Sequence, residues 1–294
     1  LMTKSAKAVG IEIFQADFVG AYISEKGDKK YINSFPFDDE GVVIYPDTKN
    51  EEVIDYQKPF EINPSNTIIM PRGLGTMGLT SSRYWVDMIR NLELDGFLKV
   101  GIKTPKTVSI AHSEDSERAM KELGNKFPVI LKSSTGTQTG VGVVIIESMR
   151  SLHASVQMLM LYSKYLPIIL QEYIKTDYDV RVIVLDGTIL GAMKREVIQG
   201  DDFRINVSLG AEASTFELTD LEIKDSITAA KAVDGRLCGV DFIPAKNREK
   251  EQPYIIEVNS MPGFGGIEKL NPNKSLTQNI FKHFKNRDNW NLDK

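Results

Sequence analysis

The chain has 294 residues, a formal net charge of −4, 41% hydrophobic and 26% charged residues, which is ordinary globular composition and excludes a disordered polymer. The mild acidity supplies no basic face for DNA, and no apolar run approaches the roughly 18 residues of a membrane-spanning helix, so DNA and membrane are not expected partners. Length leads to an expectation of about two domains, or one with subdomains. The one cysteine, Cys238, excludes an intrachain disulfide and reads as a buried, inert thiol among apolar neighbours. With no signal-peptide apolar core at the N-terminus, a cytoplasmic location is the simplest reading. Leu1-Met2 suggests that residue 1 is not the natural start.

In chain order, short strands are expected over 11–16 and 20–24, a mixed stretch over 31–64, and a buried strand over 67–70 ending at Pro71. Residues 81–94 have helical spacing, with Tyr84, Trp85, Met88, Ile89 and Leu92 on one face and Ser81 and Ser82 as caps. Up to about residue 100 the pattern is a small α/β domain. Thr104-Pro105 opens a new unit. It comprises a strand over 107–110, a helix over 113–123 capped by Ser113, and a strand over 127–133 returning over 141–147. A helix over 151–165 carries an apolar stripe that reads as core. Strands follow over 168–174, 179–185 and 188–195, the last two joined by Asp186-Gly187, a strong hairpin signal. A helix over 220–233, strands over 239–245 and 253–259, and an amphipathic helix over 275–284 complete the pattern.

Three stretches carry chemistry. Glu257 and Asn259 alternate on a strand, so a carboxylate and a carboxamide share one face. Asp241 sits in a second apolar strand as a lone inward acid. Hard oxygen groups of this kind make a site for a divalent cation. Lys132 ends a strand just before a loop of Gly, Ser and Thr over 134–142. It is not a P-loop, where the lysine follows the last glycine, but a strand-end lysine can still reach phosphate oxygens while loop amides cover the rest. Asp179 and Arg181 face one side of their strand. Arg195, Arg204 and Asn206 add a cationic and amide cluster suited to charge on a transferring phosphoryl group. The backbone of Gln171-Glu172-Tyr173-Ile174, at a strand end, could read an adenine edge.

Other signals lead elsewhere. Gly73-Leu74-Gly75-Thr76-Met77-Gly78 matches G-x-G-x-x-G. The acid of a dinucleotide site should end a second parallel strand, whereas Glu93 ends a helical pattern, so the loop reads as structural or substrate-facing. His112, His153 and His283 lack ligand spacing, which argues against zinc.

Several stretches, in this order, resemble the ATP-grasp carboxylate–amine ligase superfamily from about residue 101 to 270. They are Ile110-Ala111-His112-Ser113, Gly136-Thr137-Gln138 with Gly140-Val141-Gly142, Gln171-Glu172-Tyr173-Ile174, Gly200-Asp201-Asp202-Phe203-Arg204 with Asn206, Gly239-Val240-Asp241, Glu257-Val258-Asn259, and Pro262-Gly263 with Gly266-Ile267-Glu268. Within the superfamily the chain is most similar to the RimK-like group, which adds glutamate to the C-terminus of a ribosomal protein. The resemblance implies an α/β chain with an ATP-grasp fold, two α+β subdomains clasping ATP, preceded by a small α/β pre-ATP-grasp domain. The boundaries it implies are 1–100 for that domain, 101–174 for the central subdomain with the phosphate loop, and 175–294 for the C-terminal subdomain with the metal ligands.

The resemblance also implies roles. Lys132 would bind ATP phosphates under a loop containing Gly136, Thr137, Gln138, Gly140 and Gly142. Glu172, Tyr173 and Ile174 would hold adenine, and Asp179 would contact ribose. Arg204 and Asn206 would lie near the γ-phosphate with Arg195, and Asp241, Glu257 and Asn259 would coordinate two Mg²⁺ or Mn²⁺ ions. The implied activity is ADP-forming amide synthesis through an acyl phosphate. The amine donor would be an amino acid, glutamate favoured, and the acceptor a peptide, a protein C-terminus or a small carboxylate; a homo-oligomer is compatible. A ligase for a small-metabolite acceptor and a non-catalytic ATP-binding regulatory module are the alternatives. Two departures stand out. The family's helix with an ATP-contacting lysine, expected before Gly101, has no counterpart in Phe97-Leu98-Lys99-Val100. The His-Arg-Gly-Gly usual after the Asn is replaced here by Ser208-Leu209-Gly210-Ala211.

Overall fold

The structure is a computed structural model that describes residues 2–16, 22–26, 29–34, 36–37, 57–62, 97, 99–110, 115–133, 143–162, 168–196, 212–260, 262–271 and 275–290. The expected strand over 67–70, the helix over 81–94, the Gly73–Gly78 and Gly136–Gly142 loops, the Ser113 cap, Arg204 and Asn206 lie outside the described residues. The chain divides into two compact units, Leu1–Gly73 with Thr277–Lys294, and Leu74–Leu276.

The smaller unit contains helix α1 (Met2–Ala8) and a three-stranded antiparallel sheet of β1 (Tyr22–Lys26), β2 (Lys29–Asn33) and β3 (Phe60–Ile62). The strand expected over 11–16 does not form. Its Ile-Glu-Ile-Phe alternation finds tertiary partners instead of a ladder. Phe14 stacks on Phe60 with ring centroids 5.2 Å apart, and Gln57 Nε2 donates to the Gln15 carbonyl at 2.7 Å.

The larger unit holds two sheets built on one logic, an apolar face under helices and a polar face opposite. In the first, β4 (Thr107–Ile110), β5 (Val129–Ser133), β6 (Val143–Ile146) and β7 (Ile168–Glu172) run in the order β4-β7-β5-β6, all antiparallel. Leu131, Ile168 and Leu170 point one way, into a core shared with α2 (Ser116–Glu122) and α3 (Met149–Tyr162). The α3 residues Leu152 and Val156 are fully buried in that core, as the apolar stripe requires. Period-2 alternation then puts Thr107, Lys132 and Gln171 on the other face.

The second sheet has the order β10-β9-β8-β11-β12, from β8 (Tyr178–Leu185), β9 (Thr188–Glu196), β10 (Glu212–Thr215), β11 (Leu237–Ile243) and β12 (Tyr254–Asn259). Asp186 (φ 44°) and Gly187 (φ 76°) make the tight β8–β9 turn, both left-handed as a type I′ turn demands. Val180, Val182, Val184, Ala192, Val240, Phe242 and Ile255 pack with Ala229 and Ala230 of α4 (Asp220–Ala232). Cys238 lies in this core, where burial pushes its thiol up to about 12, so it stays protonated and inert. Helix α4 starts where it does because Thr219 and Glu222 form a capping box. Glu222 also takes a forked pair of bonds from Arg248 at 2.8 Å.

The turn after β12 leads into α5 (Gly265–Leu270), and α6 (Leu276–Lys285) follows. Residues 262–267 press onto the polar face of the second sheet through three glycines. A Cβ on Gly239 would meet Pro262 Cβ at 2.8 Å, one on Gly191 would meet Ile267 Cγ2 at 2.9 Å, and one on Gly266 would meet Met193 Sδ at 2.9 Å. Gly239→Ala is therefore expected to destabilise the chain by about 1–3 kcal/mol, because the Pro262 ring cannot swing aside. Gly265→Ala, with nothing within 4 Å of its Cβ, is the control and should stay within about 0.5 kcal/mol of the parent. Urea unfolding of the two variants compares them; equal stabilities would mean that the 262–267 segment is not held against β11.

Candidate active site

The polar face of the second sheet gathers a row of charges. Arg181 on β8 and Asp241 on β11 are direct cross-strand neighbours, and Asp241 is in turn opposite Glu257 on β12. One residue pair along, Arg195 on β9 stands opposite Asp179 on β8. The two arginines grip the two aspartates in parallel forks. Arg181 Nε and Nη2 donate to Asp241 Oδ1 and Oδ2 at 2.7 and 2.6 Å, and Arg195 Nε and Nη2 donate to Asp179 Oδ1 and Oδ2, both at 2.6 Å. Arg195 Nη2 also lies 3.1 Å from Asp241 Oδ2, which joins the pairs into one network. Forked guanidinium–carboxylate bonds fix orientation as well as charge.

This network is buried: Arg195, Asp179 and Asp241 are 5%, 7% and 3% exposed. Burial pushes the Asp179 carboxyl up to about 6, against the pull of Arg195. Burial lowers both guanidiniums, but Asp241 offsets that for Arg181, and Asp241 with Asp179 does so for Arg195, so both shift upward and stay charged. Arg181 is the residue that sequence reasoning left without a role. Its signal was the alternation Asp179-Val180-Arg181-Val182, which put it beside Asp179 on the polar face; only pairing of β8 with β11 sets it against Asp241.

At the β12 end, Asn259 Nδ2 donates to Glu257 Oε1 at 2.8 Å, as their shared face predicts. Among the described residues, no three His, Cys, Asp or Glu side chains gather as a metal cage. What Asp241, Glu257 and Asn259 offer is two carboxylates and a carboxamide on adjacent strands. That donor chemistry suits Mg²⁺, which is usually held by one or two carboxylates and completed by phosphate and water, with Asp241 limited to the lone pair that Arg181 leaves on Oδ1.

On the first sheet, Lys132 Nζ donates to Gln171 Oε1 at 2.9 Å, and Gln171 Nε2 donates to Thr107 Oγ1 at 2.7 Å. At the end of β7, Glu172 bonds twice to Lys106: its amide donates to the Lys106 carbonyl at 2.8 Å, and its Oε2 accepts from the Lys106 amide at 3.3 Å. The carboxylate of Glu172 thus anchors the chain entering β4. Tyr173 and Ile174, next in line, are half-buried.

Residues 88–280 match the model of the RimK-like ATP-grasp domain. A probable alpha-L-glutamate ligase of Marinomonas sp. (strain MWYL1) is 35% identical over 199 residues, 67% of this chain and 62% of the relative's length. A second, of Aliivibrio fischeri (strain MJ11), is 28% identical over 295 residues, 91% of this chain and 85% of the relative. Among solved structures, a RiPP-associated ATP-grasp ligase of Chryseobacterium gregarium in complex with ADP and a leader and core peptide aligns with TM-score 0.61 and 14% identity, over 96% of this chain and 90% of that one. The D-alanine–D-alanine ligase of Bacillus anthracis aligns with TM-score 0.54 and 19% identity, over 71% of each chain. These two likenesses concern the fold: an α/β architecture with the ATP-grasp arrangement. The family match covers more than half of the sequence and includes both sheets of the larger unit, so the chain belongs to the RimK-like ATP-grasp family.

Proposed function

We propose that the chain is an ATP-dependent, ADP-forming carboxylate–amine ligase that joins an amino acid, glutamate in the first instance, to the carboxylate of a peptide or protein C-terminus. The observation that carries this reading is the buried Arg195 and the half-buried Arg181 on the same sheet face as Asp241, Glu257 and Asn259. Fixed cations beside hard oxygen donors suit a reaction that forces a carboxylate onto a triphosphate. The names of the curated relatives support glutamate as the amine.

In this reading the acceptor carboxylate oxygen attacks the γ-phosphorus and the bond to the β–γ bridging oxygen breaks, giving ADP and an acyl phosphate. The amine nitrogen then attacks the acyl carbon, phosphate leaves, and the amine proton is lost. Lys132 would neutralise phosphate charge, and the Gly136–Gly142 loop would exclude water from the labile acyl phosphate. Glu172, Tyr173 and Ile174 would hold adenine, with the backbone of Tyr173 and Ile174 reading its edge, because the side chain and the amide of Glu172 are both engaged at Lys106. Asp179 grips Arg195 with both oxygens, so a ribose contact would use the lone pairs left over. Arg195, with Arg204 and Asn206, would sit near the transferring phosphoryl group. Asp241, Glu257 and Asn259 would hold the one or two Mg²⁺ ions, which when bound neutralise charge on phosphate oxygens.

The test is release of ADP and phosphate from Mg²⁺-ATP, screened over the amino acids with and without peptides ending in glutamate. Release that needs both glutamate and such a peptide is the expected result. Release with glutamate and a small carboxylic acid would move the acceptor to a metabolite. Nucleotide binding without release under any pairing would overturn the ligase reading in favour of a regulatory ATP-binding module.

A further inference from the structure

The chain of hydrogen bonds behind Lys132 has a direction that its chemistry dictates. Pro105 has a carbonyl and no N–H, so it only accepts. Thr107 Oγ1, 3.0 Å from the Pro105 carbonyl oxygen, must donate to it. That hydroxyl oxygen is then free to accept, and it takes the amide Nε2 of Gln171 at 2.7 Å. The Gln171 carboxamide is thereby oriented with Oε1 away from Thr107, toward Lys132 Nζ at 2.9 Å. An ammonium only donates, so the network closes without conflict from a backbone carbonyl on the chain leading into β4 to a cation on β5. Gln171 is 6% exposed and sits in the β7 ladder, opposite Thr107 on one side and Ile130 on the other. A buried carboxamide on a central strand has few rotamers left.

We propose that Gln171 is a positioning residue for Lys132: it aims the ammonium at nucleotide phosphates through a neutral contact that itself cancels none of the charge. This deepens the ligase reading and rests on its assignment of Lys132 to ATP. The choice of residue type is the argument. A carboxylate at position 171 would grip Lys132 more tightly but would cancel the charge that phosphate needs. An aliphatic residue would remove this hold on the four-carbon stem of the lysine, and phosphate would have to supply that part of its ordering. A neutral acceptor avoids both losses. It takes one ammonium hydrogen and none of the charge.

The experiment is nucleotide affinity measured on the full chain by calorimetry, with ATP, ADP and adenosine as ligands. Gln171→Met, which keeps length and apolar volume, is expected to weaken ATP and ADP about tenfold, the scale of a charge-assisted hydrogen bond, and adenosine less than about twofold. Gln171→Glu is expected to weaken ATP and ADP as well, by charge cancellation, with adenosine again spared. Thr107→Val frees the carboxamide to turn over and should give a smaller loss of the same pattern. It serves as the readout if Gln171→Met does not fold. The double variant Gln171→Met/Lys132→Ala should bind ATP no worse than Lys132→Ala alone. Equal losses for ATP and adenosine would mean a general structural role and overturn the proposal. So would Gln171 variants that bind ATP normally while Lys132→Ala does not. Lys132→Ala with normal ATP affinity would instead overturn the phosphate role of Lys132, and the proposal with it.

Discussion

Asp241→Asn is expected to lower ligase turnover about a thousandfold or more and to reduce the unfolding free energy by about 3–5 kcal/mol. Both effects follow from the position of one carboxylate. Asp241 accepts from Arg181 with both oxygens and lies within 3.1 Å of Arg195 with one. Asparagine keeps the shape but presents an N–H donor where a guanidinium N–H already points, and it removes the negative charge between the buried Arg195 and the half-buried Arg181. In the ligase reading the same substitution removes one of two carboxylates that would hold Mg²⁺ against the phosphates. Glu257→Gln separates the two effects. Glu257 is half-buried and is not part of the two aspartate–arginine forks, so its loss should cost turnover with a smaller change in stability than that of Asp241→Asn. Steady-state ADP release and urea unfolding on both variants make the comparison. Near-normal turnover in Asp241→Asn would sink the assignment of this row to phosphoryl transfer.

The elements of the larger unit were readable because its strands and helices obey simple periods. The hairpin at Asp186-Gly187 was legible from a dipeptide that tolerates left-handed backbone, and both residues adopt it. Strand β4 begins and ends where the alternation predicts, and α4 starts at Asp220 as expected. Short or irregular elements escaped. Helix α1 has a polar sequence with no apolar stripe, α5 opens on two glycines, and β10 is a four-residue edge strand added to β9. Their existence depends on tertiary partners rather than on local pattern. The same division runs through the site. Which residues share a face follows from alternation within one strand, so Glu257 with Asn259 and Asp179 with Arg181 could be read directly. Which cation faces which carboxylate depends on register between strands far apart in sequence. Arg181 with Asp241, and Gln171 between Thr107 and Lys132, became visible only when β8 met β11 and β7 met β4 and β5.

Arg195→Leu is expected to destabilise the chain by about 3–5 kcal/mol near pH 8 and by clearly less near pH 5. Asp179 is the reason. Its ordinary value is 3.8, and burial pushes it to about 6 in the folded chain even with Arg195 pulling it down. A carboxyl raised in this way contributes stability that is fully present below its unfolded value and is lost as pH rises through the folded one. In the parent the window runs from about pH 4 to 6, and the span of about two units is worth about 3 kcal/mol. Removing Arg195 removes both its charge and its two hydrogen bonds, so the carboxyl rises further and the window extends above 6. The stability difference between parent and variant should therefore widen as pH increases from about 5 to 8. Pairing the substitution with Asp179→Asn should remove most of that widening, because no buried charge is then left unpaired at position 179, while Asp241 keeps its fork from Arg181. Unfolding free energies from urea titrations at pH 5, 6, 7 and 8 test the three chains. A difference that stays constant across that range would show that Asp179 keeps its charge without Arg195, and that the pair is held by geometry rather than by mutual neutralisation.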